Sequence, residues 1–370
     1  SGSQADASLT LTINTGKVGS RATAWTTDPA GSDKTQTENK INRLTVGIFS
    51  SDGSTVKTIV ELTPGQTGGN TLSTDGTTAK IVTTSLAAND QVLVAVNAPT
   101  GKFAGVSNAT AFKAVEEDAK DALTDGSSEA TEIATNVPMF GENTLSGTGS
   151  AFTANVSVKH QLAKITLDDL EVAFDANGPY KEAEFTPTEF FLVNVPEKLA
   201  FNSNAWVNGA SHLHGMSSTT YSLLTAATEW GTYKEYLSSA ATGSTALKGT
   251  SDTYASKSYF YVTPCDDAST NGKMKLIIAG TFKTNSSDAG TTVFYPVAIN
   301  ATYAADGTPS AATNGGADVF KVYPNKNYKC KVVIKTIGTI DPTKNLDPQT
   351  ATVTVTVTDF EPASQTTTFE

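Results

Sequence analysis

Arginine is nearly missing from this sequence: of 370 residues, only Arg21 and Arg43 are arginine. Lysine brings the cationic total to 26, against 37 acidic residues, for a net charge of −11. Binding to nucleic acid needs Lys and Arg clustered against phosphate, so this balance argues against that class of partner, and against an anionic membrane surface as well. Charged residues make up 17% of the chain, below the roughly 25% of an average globular protein and closer to secreted or surface β-proteins. No apolar run approaches the roughly 18 residues that span a bilayer as a helix. No signal-peptide pattern opens the chain. The sequence has no GxSxG, HExxH or Walker loop, and with them go the commonest hydrolase, metalloprotease and nucleotide-binding signatures. An enzyme is not expected, and neither is a cofactor or metal.

What is present is threonine, accompanied by serine, alanine and glycine. Threonine favours strands and glycine favours turns, so the composition predicts an all-β protein with minor helices. Period-two alternation recurs in "SLTLTIN" (8–14), "INRLTVGIFS" (41–50), "TAKIVTTSL" (78–86), "QVLVAVNAP" (91–99), "ANVSVKHQLAKITL" (154–167) and "EFFLVNVP" (189–196). It returns in "KSYFYVTP" (257–264), "KMKLIIAGTF" (273–282), "TVFYPVAIN" (292–300), "NYKCKVVIKTI" (327–337) and "ATVTVTVTDF" (351–360). Turn signals "SDGS" (51–54), "STDGT" (73–77), "DANG" (175–178) and "ADGT" (305–308) separate strands. The pattern is that of sandwiches or barrels rather than βαβ units. Helical spacing of Phe112, Val115, Ala119 and Leu123 predicts a helix within 108–126, and a weaker one, interrupted by Gly231, within 220–240. A chain this long implies two domains, and the Gly/Ser/Thr-rich stretch 142–153 places the boundary near 150.

Few residues stand out chemically. Cys330 is in phase with Tyr328, Val332 and Ile334, which turns it toward a core; buried free thiols and a Cys265–Cys330 disulfide both stay open. His160 lies inside a strand, where a core role is expected, and "SHLHG" pairs His212 with His214 without an evident third metal ligand. The acidic runs at 116–118, 168–169 and 265–269 read as turns and solvated faces rather than glycosidase carboxylates. Trp206 and Trp230, with Tyr221, Tyr233, Tyr236 and Tyr254, lie in a long irregular region; exposed they would stack on sugars, buried they would anchor the insertion.

"VPMFGE" (137–142) followed by "VSVKHQLAKITL" (156–167), then "FFLVNVP" (190–196), "VFYPVAIN" (293–300), "YPNKNYKCKVVI" (323–334) and the closing "TVTVTVTDFEPASQTTTF" (352–369) run across nearly the whole chain. In order and spacing they resemble the Bacteroidetes fimbrillins, the type V pilin subunits, departing from them at His160, Gln161 and around "TPCDD". The resemblance implies two transthyretin-like β-sandwich domains. It implies a lipoprotein precursor tethered to the outer membrane, with its lipidated cysteine upstream of Ser1, and a mature protein in a cell-surface fimbrium. An arginine-specific protease would cut between Arg21 and Ala22, removing a pro-strand segment 1–21 from the N-terminal domain 22–150. A strand from the C-terminal domain 151–370 of another copy would fill the vacated groove.

Elementary physics agrees with that scheme. Burying Leu9, Leu11 and Ile13 contributes about 5–9 kcal/mol together, against a typical domain stability of about 5–15 kcal/mol. Losing their strand would expose an apolar groove and orphan the backbone groups of its neighbours, a state that binds a replacement strand. Val353, Val355 and Val357 repeat the same alternation near the carboxyl terminus, and Phe360 and Phe369 add larger anchors. A subunit that donates at one end and accepts at the other builds filaments. The expected partners are therefore other copies of the chain, accessory fimbrial subunits and the protease, with host or bacterial surface ligands for the fibre. Deleting residues 360–370 is expected to block assembly and leave the monomer folded. A tip or accessory adhesin, or a carbohydrate-binding surface protein using Trp206 and Trp230, is the alternative.

Overall fold

Alternating apolar and hydroxylated residues put one face of each strand against a core and the other toward water, and sheets pair across those buried faces. The computed structural model describes residues 6–15, 38–124, 134–221, 230–256, 258–267, 272–344 and 350–360. Its first ten principal strands are β1 (Ala7–Asn14), β2 (Leu44–Phe49), β3 (Val56–Leu62), β4 (Thr71–Leu72), β5 (Thr78–Thr83), β6 (Gln91–Val96), β7 (Met139–Thr144), β8 (Ser146–Thr148), β9 (Ala151–Ser157) and β10 (Lys159–His160). They form two sheets, ordered β4-β5-β1-β9-β8 and β10-β7-β6-β2-β3. Leu9, Leu11, Ile13, Ile81, Phe152 and Val156 of the first sheet share one buried cluster with Leu44, Val46, Ile48, Val92, Val94 and Met139 of the second.

The second sandwich is built from β11 (Ala163–Val172), β12 (Glu184–Val193), β13 (Ser238–Ala240), β14 (Ser258–Val262), β15 (Lys275–Lys283), β16 (Thr291–Ala298), β17 (Lys326–Ile334) and β18 (Ala351–Asp359). Its sheets run β14-β11-β17-β18 and β13-β12-β15-β16. The protein is thus all-β, with two short helices, α1 (Ala109–Lys113) and α2 (Ala119–Thr124), among the described residues.

The turns follow their sequences. In "SDGS" and "STDGT" an aspartate accepts from the backbone two residues on (Ser54 N to Asp52 Oδ1 and Thr77 N to Asp75 Oδ1, both 3.0 Å). Serine hydroxyls donate to the same carboxylates, which are held down to about 2 by these bonds.

Two expectations are corrected. The predicted helix within 108–126 is broken: α1, capped by Asn108 Oδ1 accepting from Ala111 N at 2.8 Å, stops at Lys113. Glu116–Asp118 then forms a strand against Lys198–Ala200 before α2 begins. The backbone partner supplied by the 197–201 segment (Ala119 N to Glu197 O, 2.7 Å) overrides local helical spacing. Likewise the described part of 220–240 holds a short strand, Thr232–Tyr233, and a 3₁₀ turn, Glu235–Leu237. Gly231 sits at φ +89°, where a Cβ would fall 1.9 Å from the His212 carbonyl oxygen, so no other residue fits.

The boundary is expected within about ten residues of the Gly/Ser/Thr-rich stretch 142–153. The Gly/Ser stretch there is the hairpin turn between β8 and β9, and β9 lies in the first sandwich beside β1. The chain passes to the second sandwich only after β10, where Gln161 N donates to Pro138 O at 3.0 Å.

Cys265 and Cys330 are free, buried thiols rather than a disulfide. Burial pushes each up to about 12, well above the ordinary thiol value. Titration with a thiol reagent at neutral pH is therefore expected to find no reactive group in the folded protein and two after denaturation. A fast-reacting native thiol would contradict this placement.

Candidate assembly site

β1 occupies the middle of its sheet. It runs antiparallel to β5, with Leu9 opposite Ile81 and Leu11 opposite Ala79. On its other edge it runs parallel to β9, with Leu9, Leu11 and Ile13 opposite Phe152, Ala154 and Val156. Leu9 and Leu11 are fully buried and Ile13 is 3% exposed, whereas Thr10, Thr12 and Asn14 face out. The ladder reaches both ends of the strand: Ser8 N donates to Ser150 O (2.8 Å), Ile13 N to Thr77 O (2.7 Å) and Val158 N to Asn14 O (2.9 Å). A strand held on both edges and on its buried face is a keystone. Without it β5 and β9 would face each other across a gap one strand wide, each with a row of unpaired N–H and C=O groups.

The sequence-predicted residues divide between two places. Leu9, Leu11 and Ile13 come together in the first core. Arg21 and Ala22 lie outside the described residues. Val353, Val355 and Val357 lie on β18, an edge strand paired along its whole length with β17. Val355, Val357 and Phe360 belong to the core of the second sandwich, with Val353 packed on its margin. Phe369, like Pro362, lies outside the described residues. Within one chain, then, β18 completes its own sheet and does not touch the groove of β1. As an edge strand it is bonded on one side only, and its departure would shorten the sheet without splitting it.

Arg43, the other arginine, is secured where it enters β2. Its Nη1 donates to Ala98 O at 3.1 Å, and its own carbonyl accepts from Asn97 N at 2.8 Å. Backbone held in this way resists proteolysis.

Most of the aromatic and histidine candidates are buried or half-buried, Tyr233 being exposed. Trp230 is 5% exposed and packs with Phe191, Met216, Tyr221 and Phe294 on the outer face of the β12–β15–β16 sheet. Trp206 is half-buried, its indole N–H donating to Val322 O at 3.3 Å beside Tyr323. The two tryptophans thus anchor the long insertion, and no shared sugar-stacking face joins them. His214 is buried, accepting from Met216 N at Nδ1 (3.2 Å), and His212 lies 3.7 Å from Asp267. Among the described residues no group of three or more His, Cys, Asp or Glu side chains is placed to hold a metal ion. His160 is buried in the junction between the sandwiches, where desolvation lowers its pKa. Its neighbours there, Glu38, Lys164 and Tyr261, escaped the sequence reading. The one available signal was Lys164, a charged residue among the apolar Ala163, Ile165 and Leu167, a stretch that is buried throughout.

Comparison with known proteins bears on this groove. Residues 7–169 match the family described as major fimbrial subunit protein (FimA). A search of curated proteins finds no match. Among solved structures, a fimbrilin of Porphyromonas gingivalis is similar over 95% of this chain and 96% of its own, with 18% identity and a TM-score of 0.60. A candidate cell adhesion protein of Bacteroides eggerthii is similar over 96% of both chains at 21% identity, TM-score 0.60. Another, from Parabacteroides distasonis, is similar over 97% of this chain and 98% of its own at 15% identity, TM-score 0.63. At such identities these structures speak to the fold: both sandwiches and their order are shared. The matched residues begin with β1 and run through the first sandwich into β11, and over them the chain is similar to the major fimbrial subunit (FimA) family.

Proposed function

We propose that this protein is a structural subunit of a cell-surface fimbria and that it polymerises by protease-activated donor-strand exchange. The observation that carries this reading is the position of β1, central in its sheet yet at the amino-terminal end of the described chain. The segment between Asn14 and Glu38, which joins β1 to the rest of the first sandwich, contains Arg21. An arginine-specific protease cuts after Arg21 and residues 1–21 depart. A carboxyl-terminal segment from residues 351–370 of another copy, bearing Val353, Val355, Val357, Phe360 and Phe369, enters the gap between β5 and β9. Before the cut, the subunit is an outer-membrane-tethered lipoprotein precursor. Accessory fimbrial subunits join the same fibre through the same groove.

Limited digestion with an arginine-specific protease, followed by intact mass and size measurement, tests this on the wild type and on Arg21→Ala. A single cut after Arg21, loss of residues 1–21 and growth of large oligomers are expected for the wild type, with the variant inert. Cut protein that stays monomeric and stable would remove the exchange mechanism. Cutting at Arg43 instead would remove the assigned processing site.

A further inference from the structure

Two distant parts of the chain meet in one buried cluster between the sandwiches. Glu38 is the first described residue after the segment that contains Arg21, and Phe360 is the last described residue before the final ten. They are 3% and 0% exposed. His160, Lys164 of β11 and Tyr261 of β14 hold both. The Glu38 carboxylate pairs with Lys164 Nζ and accepts from the Tyr261 hydroxyl at 2.5 Å, and its backbone carbonyl accepts from His160 Nε2 at 2.8 Å. The Phe360 ring stacks on His160 (4.2 Å between centroids, 25°) and on Tyr261 (5.6 Å, 29°), with Lys164 Nζ 5.0 Å from its centroid. Its N–H donates to Asn325 O at 2.9 Å.

The arrangement makes Phe360 depend on Glu38. An ammonium group this deeply buried needs a counter-charge, and Lys164 is otherwise ringed by Tyr259, Tyr261 and Phe360. Take the carboxylate away and Lys164 is driven toward water, off the face of Phe360. Glu38 in turn is positioned by the first sandwich. The Lys40 carbonyl accepts from Asn97 Nδ2 at 2.8 Å, and Ile41 is buried in the same cluster as Leu9, Leu11 and Ile13.

We propose, resting on the cut-and-exchange reading above, that the Glu38–Lys164 pair is an interlock that keeps the carboxyl-terminal strand on its own sandwich until β1 has gone. While the first core is complete, Glu38 stays beneath Lys164 and Phe360 stays seated. When β1 leaves, the packing around Ile41 loosens, Glu38 withdraws, and Phe360 with the strand before it is freed to be donated. The device guards against donation by an unprocessed subunit.

Amide hydrogen exchange over residues 351–360, in the full-length chain before and after cutting at Arg21, tests the interlock. In wild type, exchange there is expected to rise on cutting. In uncut Glu38→Gln it is expected to be already faster by at least about tenfold, the factor for one lost charge-assisted hydrogen bond, while the rate of cutting at Arg21 is unchanged. Equal exchange in uncut wild type and variant would overturn the proposal. If Glu38→Gln exchanges faster throughout both sandwiches, Tyr261→Phe, which removes one hydroxyl, decides: a smaller rise confined to 351–360 supports the interlock, and no rise overturns it. Wild type that releases its strand on cutting but never assembles would instead count against the exchange reading. Wild type that assembles without prior release would count against the interlock alone.

Discussion

Leu9→Ala combined with Leu11→Ala is expected to cripple the first sandwich of the uncut protein and to leave the assembled fibre untouched. Each truncation of a fully buried leucine costs about 2–5 kcal/mol. The two side chains are neighbours on one face of β1, so their cavities merge and the costs do not simply add. A combined loss of about 4–8 kcal/mol would still take most of a domain stability of about 5–15 kcal/mol. Amide exchange in β2 and β6, strands that pack against β1, reads this loss without assuming that the two sandwiches unfold together. On the proposed exchange the fibre should not share the defect, because the altered strand would be discarded at processing. Fibres of variant and wild type should therefore dissociate at the same temperature. A variant fibre that melts early would mean that β1 stays in the polymer, and the donor scheme would fall with it.

The second large effect lies at Phe360. Ending the chain after Phe360 is expected to leave the second sandwich near wild-type stability, whereas ending it after Asp359 should cost about 3–5 kcal/mol, the penalty for emptying a fully buried aromatic site. Deletion of 360–370 is thus a poor probe of donation, since Phe360 stacks on His160 and Tyr261 within its own chain. Thermal unfolding of the two truncations measures the difference, and similar curves would contradict the placement of Phe360. Assembly of the longer one, after cutting at Arg21, then locates the donor. If it still polymerises, the inserted strand comes from residues 351–360; if it does not, residues 361–370 supply it.

How much of this was legible beforehand depends on the range of the interaction. β1 and β18 were readable because alternation between Leu or Val and Thr is a local signal for a half-buried strand. Which sheet a strand joins is not local. Nothing in "AFTANVS" announces that it lies parallel to a strand some 140 residues earlier, so the Gly/Ser turn before it looked like a linker. Similarly, Val355 and Val357 announced a buried face without saying that the core beneath was their own. The helix within 108–126 failed because a backbone partner at 197–201 was invisible from its spacing. Glu38 and Lys164 were the least legible, since an acid and a base 126 positions apart declare a pairing only once the chain has folded.

The setting of β1 has one more consequence. Because it runs against β5 and along β9, those two neighbours run in opposite senses. Any extended segment laid between them, pointing either way, finds one antiparallel and one parallel partner. Backbone bonding therefore carries almost no information about direction. On the proposed exchange, the heading of each subunit in a fibre would be written in side chains, by which residues land in the three pockets of Leu9, Leu11 and Ile13, since a slip of a single position would turn every one of them to water.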